Sequence, residues 1–255
     1  MLFPLPSPNS ITKPPIIGIT TSCKNETGHY SLFSNYIDAV RRAGGAPILL
    51  TPGEMHQARI LDFVDGLLFS GGGDIDPAEY DGSSHPSIYR VNAERDAFEL
   101  GLANLALKTS IPMLGICRGL EIFMVVSGGQ LIPHIPDEFG DTVIHRADQS
   151  HCAEHPVQLV PRTRLATLFH RETEINVVSW HHQAARSAAP GWRIAAQAPD
   201  GVIEALEHQH HPWAIAVQWH PELAPEDPGQ QRIFKAFVQA ASQPQAVALR
   251  SPASN

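Results

Sequence analysis

Cysteine is scarce in this 255-residue chain: Cys23, Cys117 and Cys152 are the only three, and no two of them form a CxxC pair. That excludes a disulfide framework and a thiolate metal site of the usual spacing, and it fits a reducing cytoplasm. Long hydrophobic runs are missing as well. The opening MLFPLPSPNSITKPP has no basic leader ahead of a sustained apolar stretch, so neither a secretory signal nor a membrane span is expected. The reading is a soluble, cytosolic protein. Positive charge is also short, with 18 Lys and Arg against 26 Asp and Glu and a net charge of −8. This argues against a nucleic-acid groove and suits cationic or neutral small substrates.

What is present is a hydrophobic content of 43%, enough for the core of one large α/β domain. Residues 1–14 and 243–255 are rich in Pro and Ser or similarly polar, and they read as disordered tails around a single domain at 15–242. Strand-like runs at Pro15–Thr20, Ala46–Leu50, Gly66–Phe69 and Ile111–Ile116 alternate with helical patterns. These are SLFSNYIDAVRRAGG, QARILDFVDG and a long amphipathic stretch over 92–108. Such alternation predicts a mostly parallel central sheet flanked by helices, a flavodoxin-like α/β arrangement. The second half changes character. Short strands at His155–Val160, Glu174–Val178, Trp192–Ala198, Val202–Glu207 and Trp213–Gln218 have few helices between them, and several are expected as antiparallel additions at the sheet edge. A last helix is expected over Gly229–Ala241.

The chemistry begins at Cys117. It sits in PMLGICRGLEIF, a hydrophobic strand that ends in Gly-Ile-Cys-Arg-Gly and runs straight into a helix. A lone cysteine is most often an inert core residue. Gly115 and Gly119 at this spacing point instead to a nucleophile elbow, whose tight backbone needs small neighbours. A thiol there faces the positive end of a helix, which favours the thiolate.

A second strand ends in Val217-Gln218-Trp219-His220-Pro221-Glu222. His220 and Glu222, two apart on an extended chain, can project to one side, and Pro221 biases His220 toward extended backbone. That supplies a base for the thiol and a carboxylate to orient it. The third feature is Ser70-Gly71-Gly72-Gly73-Asp74. Bare glycines let main-chain N–H groups approach a ligand oxygen, so Gly72, Gly73 and the Arg118 amide are candidate oxyanion donors. A tight turn or a phosphate loop would read alike, although neither GxGxxG nor Walker spacing is present.

In this order the three pieces resemble the class I glutamine amidotransferase family, in which a Cys-His-Glu triad hydrolyses a γ-glutamyl amide. Cys117, His220 and Glu222 match its triad positions. SGGGDIDPAEY, ERDAFEL, GICRG, SGGQL, SWHHQ, PDGVIEALE and VQWHPE are similar to the free-standing branch that cleaves γ-glutamyl-GABA and related γ-glutamyl amines in polyamine and putrescine breakdown. The resemblance spans roughly 15–240. It implies a small γ-glutamyl amine as the partner, no cofactor, and a protein able to pair as a homodimer. It also implies that Ser179, Trp180 and His181 receive the α-amino and α-carboxylate groups of the glutamyl moiety. From the residues alone, SWHHQ is equally a surface loop, and the ERD string at Glu94–Asp96 is equally the first turn of a solvated helix.

Two departures stand out. The family usually has Gln four residues after the nucleophile, where this chain has Glu121, and Val-Asn-Ser where it has Val177-Val178-Ser179. Glu121 and the acidic balance point toward a cationic amine. The run Glu207-His208-Gln209-His210-His211 lacks a matching Cys or carboxylate set and reads as a solvated turn, so no metal is expected. Cys23 and Cys152 have no glycine-flanked elbow. Two rivals share the triad or its fold: a glutaminase subunit feeding ammonia to a synthetase, and a binding protein of this fold without activity.

Overall fold

The structure, a computed structural model, describes residues 13–243. The tails expected at 1–14 and 243–255 fall almost wholly outside them. In chain order the elements are β1 (Ile16–Thr20), α1 (Ser34–Arg42), β2 (Ala46–Leu50), α2 (Gln57–Leu61), β3 (Gly66–Phe69), α3 (Ala93–Ala106), β4 (Met113–Ile116) and α4 (Arg118–Val126). They continue with β5 (Leu131–Ile132), α5 (Ile135–Phe139), β6 (Ala153–Leu159), α6 (Arg164–Leu168), β7 (Glu174–Ser179), β8 (Ala184–Ala185), β9 (Trp192–Gln197), β10 (Ile203–His208), β11 (Ala214–Val217) and α7 (Pro228–Ala241).

One nine-stranded sheet runs β2-β1-β3-β4-β11-β10-β9-β6-β7. The first five strands are parallel, and β10, β9, β6 and β7 extend the edge in antiparallel fashion. The strands buried on both faces read as continuous apolar runs, as parallel strands between helices must. Alternate residues divide between two cores: Ile17, Ile19, Leu68, Leu114 and Ile116 pack with α1 and α7. Leu67, Phe69 and Met113 pack with α3 and α4 on the other face. Among the described residues no helix is long and apolar enough to cross a membrane.

Differences from the sequence reading are local. The helix expected over QARILDFVDG stops at Leu61, because Asp65 is drawn back to accept from the Ile16 amide at 2.7 Å and to start β3. The strand expected from Ile111 starts at Met113, since Pro112 has no N–H for the ladder. The short helix α6 went unread, although Thr163 caps it by accepting from Ala166 N at 3.1 Å.

The layout sets up the site. Strands β3, β4 and β11 are neighbours, with Phe69 beside Gly115 and Ile116 beside Val217. Their carboxyl ends therefore deliver the glycine loop, Cys117 and His220 to one edge of the sheet, where α/β proteins place ligands.

Candidate active site

Cys117 is the residue before α4 and has φ 53° and ψ −110°. A non-glycine residue in that region is strained and persists only where its surroundings fix it. Two clamps do so. The Cys117 amide donates to Val217 O at 2.8 Å, and the helix behind it sits so close to β3 that a side chain on Gly119 would run into Phe69 O. The thiol is buried, with 6% of the residue exposed. Burial pushes its pKa up, while His220 and the Arg118 amide draw it back.

His220 Nδ1 lies 2.6 Å from Glu222 Oε1. Its Nε2 is buried without a hydrogen-bond partner among the described residues, which leaves that nitrogen to the Cys117 thiol. Burial works against charge on the ring, yet Glu222 and Cys117 outweigh it and hold the His220 pKa well above its ordinary value. A more basic imidazole is a better acceptor for a thiol whose own pKa is raised. The geometry thus supports proton transfer from Cys117 to His220, with Glu222 fixing the ring.

Tyr36, on α1, is the part that sequence reasoning missed. Its hydroxyl accepts from Gly71 N at 3.0 Å and stands 3.5 Å from His220 Nδ1. Burial and the nearby Glu222 and Cys117 raise its pKa well above the ordinary value, so it stays a neutral phenol. In the sequence it is one more apolar-face residue of a helix.

The glycine loop is held from below by buried arginines. Arg95 donates to Ser70 O at 3.2 Å and Gly71 O at 3.0 Å, and Arg118 donates to Gly73 O at 2.9 Å. A trans peptide points its N–H opposite its carbonyl. Binding the Gly71 carbonyl from beneath therefore turns the Gly72 N–H outward, away from the arginines. The Gly71 amide is engaged by Tyr36, and the Asp74 amide donates to Tyr89 O at 3.1 Å. The Gly72 and Gly73 amides are left as the loop's candidate oxyanion donors, with the Arg118 amide, which faces the Cys117 side chain, as their partner.

The arginines are themselves paired. Arg118 donates to Asp96 at 2.5 Å and Glu99 at 2.8 Å, and Arg95 donates to Glu99 at 3.0 Å. Of the ERD string, Glu94 is exposed as a helix first turn would be, whereas Arg95 and Asp96 are buried supports of the loop.

The remaining expected residues differ in where their side chains are engaged. Ser179 Oγ donates to His145 O at 2.8 Å, and His181 has Nδ1 2.8 Å from Gln183 O with Nε2 turned toward Glu204. Both side chains are engaged away from Cys117. Trp180 alone of the three borders the thiol's base, its ring centroid 6.2 Å from that of His220.

Glu121 is only 3% exposed and accepts from Gln218 Nε2 at 2.9 Å, so it is covered rather than open to a cationic amine. Burial, with Asp74 adding to it, pushes its pKa from 4.5 up to about 7. The folded chain then holds this proton more firmly than the unfolded one, so the contribution of Glu121 to stability is greatest below pH 4.5 and is lost as pH rises through about 7. Glu121→Gln removes the loss. At pH 8 the variant is expected to be more stable by about 3 kcal/mol, with the gain vanishing at pH 4. Urea unfolding at both pH values checks this, and a pH-independent difference would refute it.

Above the glycine loop lies a cleft of about 530 Å³, bordered by Tyr36, Gly71–Gly73, Lys24 and Arg90. Lys24 lies over the Tyr30 ring. Both Lys24 and Arg90 are exposed, and they give the mouth a positive rim. In the His-rich turn His208 Nδ1 accepts from His210 N at 3.3 Å and His211 N at 2.9 Å.

The chain is similar to known proteins over most of its length. Residues 15–222 match the family peptidase C26. A Mycobacterium tuberculosis protein with the provisional name glutamine amidotransferase Rv2859c is 37% identical, over 89% of this chain and 75% of its own. The Escherichia coli γ-glutamyl-γ-aminobutyrate hydrolase PuuD is 32% identical, over 91% and 95% respectively. Among solved structures, the glutaminase domain of Trypanosoma brucei CTPS with bound acivicin superposes with a TM-score of 0.61 at 14% identity. It covers 89% of this chain and 93% of its own, a likeness of fold.

Proposed function

The chain belongs to the peptidase C26 family, and from that premise we propose that it hydrolyses the γ-glutamyl amide bond of a small amine carrying a carboxylate, of the γ-glutamyl-GABA kind. The observation that carries the reading is the alignment at one sheet edge of a strained, buried thiol, an imidazole with one nitrogen left to it, and a carboxylate 2.6 Å from the other nitrogen. His220 takes the thiol proton as Cys117 Sγ bonds to the γ-carbonyl carbon. The resulting oxyanion is held by the Gly72 and Arg118 amides. The imidazolium passes its proton to the leaving nitrogen, the C–N bond breaks, and a thioester remains. Neutral His220 then deprotonates a water, which attacks the thioester, and the returning proton restores the thiol as glutamate leaves.

The choice of amine rests on the rim. Lys24 and Arg90 beside the glycine loop suit a leaving group with a carboxylate and oppose a polyamine, the reverse of what Glu121 suggested in the sequence. Glutamate release from γ-glutamyl-GABA is expected to exceed that from γ-glutamyl-spermidine by tenfold or more in kcat/KM. Arg90→Ala should raise KM for γ-glutamyl-GABA and leave γ-glutamyl-ethylamine unaffected. A preference for spermidine would overturn the choice of amine, and no release from any γ-glutamyl amide would overturn the hydrolase reading.

A further inference from the structure

Four side chains from four separate segments meet in the interior: His145 in the connection between α5 and β6, His155 on β6, His181 just after β7, and Glu204 on β10. One atom from each, all within 4.8 Å of one another, faces a common point, and all four residues are buried. These are His145 Nδ1, His155 Nε2, His181 Nε2 and Glu204 Oε1, and each is buried without a hydrogen-bond partner among the described residues. His145 Nδ1 is 3.0 Å from Glu204 Oε1, with His181 Nε2 at 3.4 Å and His155 Nε2 at 3.6 Å. None of these contacts has hydrogen-bond geometry. They are close to the edges, about 3.3 Å, of a tetrahedron with metal–ligand bonds of about 2.0 Å.

The outer ring nitrogens fix the proton positions. His181 Nδ1 faces Gln183 O at 2.8 Å, His155 Nδ1 faces Pro156 O at 3.1 Å, and His145 Nε2 faces Asp200 Oδ2 at 2.9 Å. A main-chain carbonyl and a carboxylate only accept. The ring proton therefore belongs on each outer nitrogen, and in the neutral imidazole the inner nitrogen presents a lone pair. Three such lone pairs and a carboxylate then converge with no donor among them. A water molecule has two protons to offer four acceptors; a cation satisfies them all. The outer contacts, one carboxylate and two carbonyls, are those that orient metal-bound histidines.

We propose that His145, His155, His181 and Glu204 bind one divalent metal ion of the zinc class, at a closed site distinct from Cys117. Four protein ligands leave no open position, so the ion is structural. Its effect on the active site runs through the turn that carries His181. The neighbouring His182 reaches Asp74 at 3.0 Å, directly after the glycine loop, and Trp180 lies beside His220. The ion thereby pins both neighbours of the turn against the catalytic edge. The sequence gives no cue, since the ligands are scattered and its contiguous histidines lie elsewhere.

The test uses the full chain, expressed with zinc and purified without chelator, with metal content measured by elemental analysis. About one zinc per chain is expected, unchanged in Cys117→Ser, and Glu204→Gln and His155→Gln should lose it. The metal-stripped protein, titrated with cobalt(II), should take up one equivalent and develop the visible bands of tetrahedral cobalt. A metal content below about a tenth of an equivalent together with no cobalt bands would overturn the proposal and leave a protonated histidine cluster in its place. Metal that disappears in Cys117→Ser would also overturn it, by placing the ion on the thiol. Should the two ligand variants fail to fold, the content and cobalt spectrum of the parent protein decide the matter. Neither readout depends on which amide the enzyme cleaves.

Discussion

Cys117→Ala is expected to lower kcat/KM for γ-glutamyl-GABA by a factor on the order of 10⁴ or more while leaving the fold intact. The size follows from the role: removing the nucleophile of a catalytic triad leaves only binding and oxyanion stabilisation, and such losses are typically of this order. The fold is spared because the replacement removes one sulfur atom, whereas the elbow is fixed by main-chain contacts, the Cys117 amide to Val217 O among them. Alanine keeps the positive φ and therefore keeps the strain. The second arm is His220→Ala, which should cost about as much alone, with the double variant little worse than either, since the members act as a unit. Initial rates of glutamate release and a thermal melt settle both. A Cys117→Ala protein with more than a tenth of parental activity would rule out the thiol as nucleophile.

Much of this site is legible in the sequence because the motif residues act through local geometry. Cys117, Gly115 and Gly119 signal the elbow since a tight strand-to-helix turn admits few residue types, and His220-Pro221-Glu222 are close enough in sequence for their relation to be read directly. The parallel half of the sheet is legible for the same reason: its strands are unbroken apolar runs. What sequence reasoning lost depends on distant contacts. Tyr36 lies 35 residues from Gly71 and 184 from His220, the two groups its hydroxyl meets. Nothing in a helical pattern separates such a tyrosine from a core residue. Ser179 and His181 have side-chain partners that their motif does not reveal. Their place in a motif suggested a pocket, but strand alternation and the close approach of His145 and Glu204 turn their side chains inward. The cover over Glu121 is equally hidden, because Gln218 comes from just beyond β11, 97 residues along the chain.

Arg118→Met is expected to be the most destabilising single change among the residues around the site, by about 3–5 kcal/mol. Arg118 is 2% exposed and donates to Asp96, Glu99 and Gly73 O at once. Burial disfavours its charge, but Glu99 and Asp96 more than compensate and hold its pKa above the ordinary value. Methionine fills similar space and leaves Asp96 and Glu99 short of a cation in a low-dielectric interior, which is the costly direction for a buried ion pair. In a domain of this size each kcal/mol moves Tm by about 2–4 °C, so a drop of roughly 10 °C is the expected reading. Activity should fall as well, through the Gly73 carbonyl, even though the Arg118 main-chain amide survives the substitution. If stranded carboxylates cause the loss, Arg118→Met/Asp96→Asn should recover part of the stability without recovering the activity. The loop would still lack its anchor. A single variant within about 1 kcal/mol of the parent in urea would show instead that Arg95 alone holds the loop and neutralises the carboxylates.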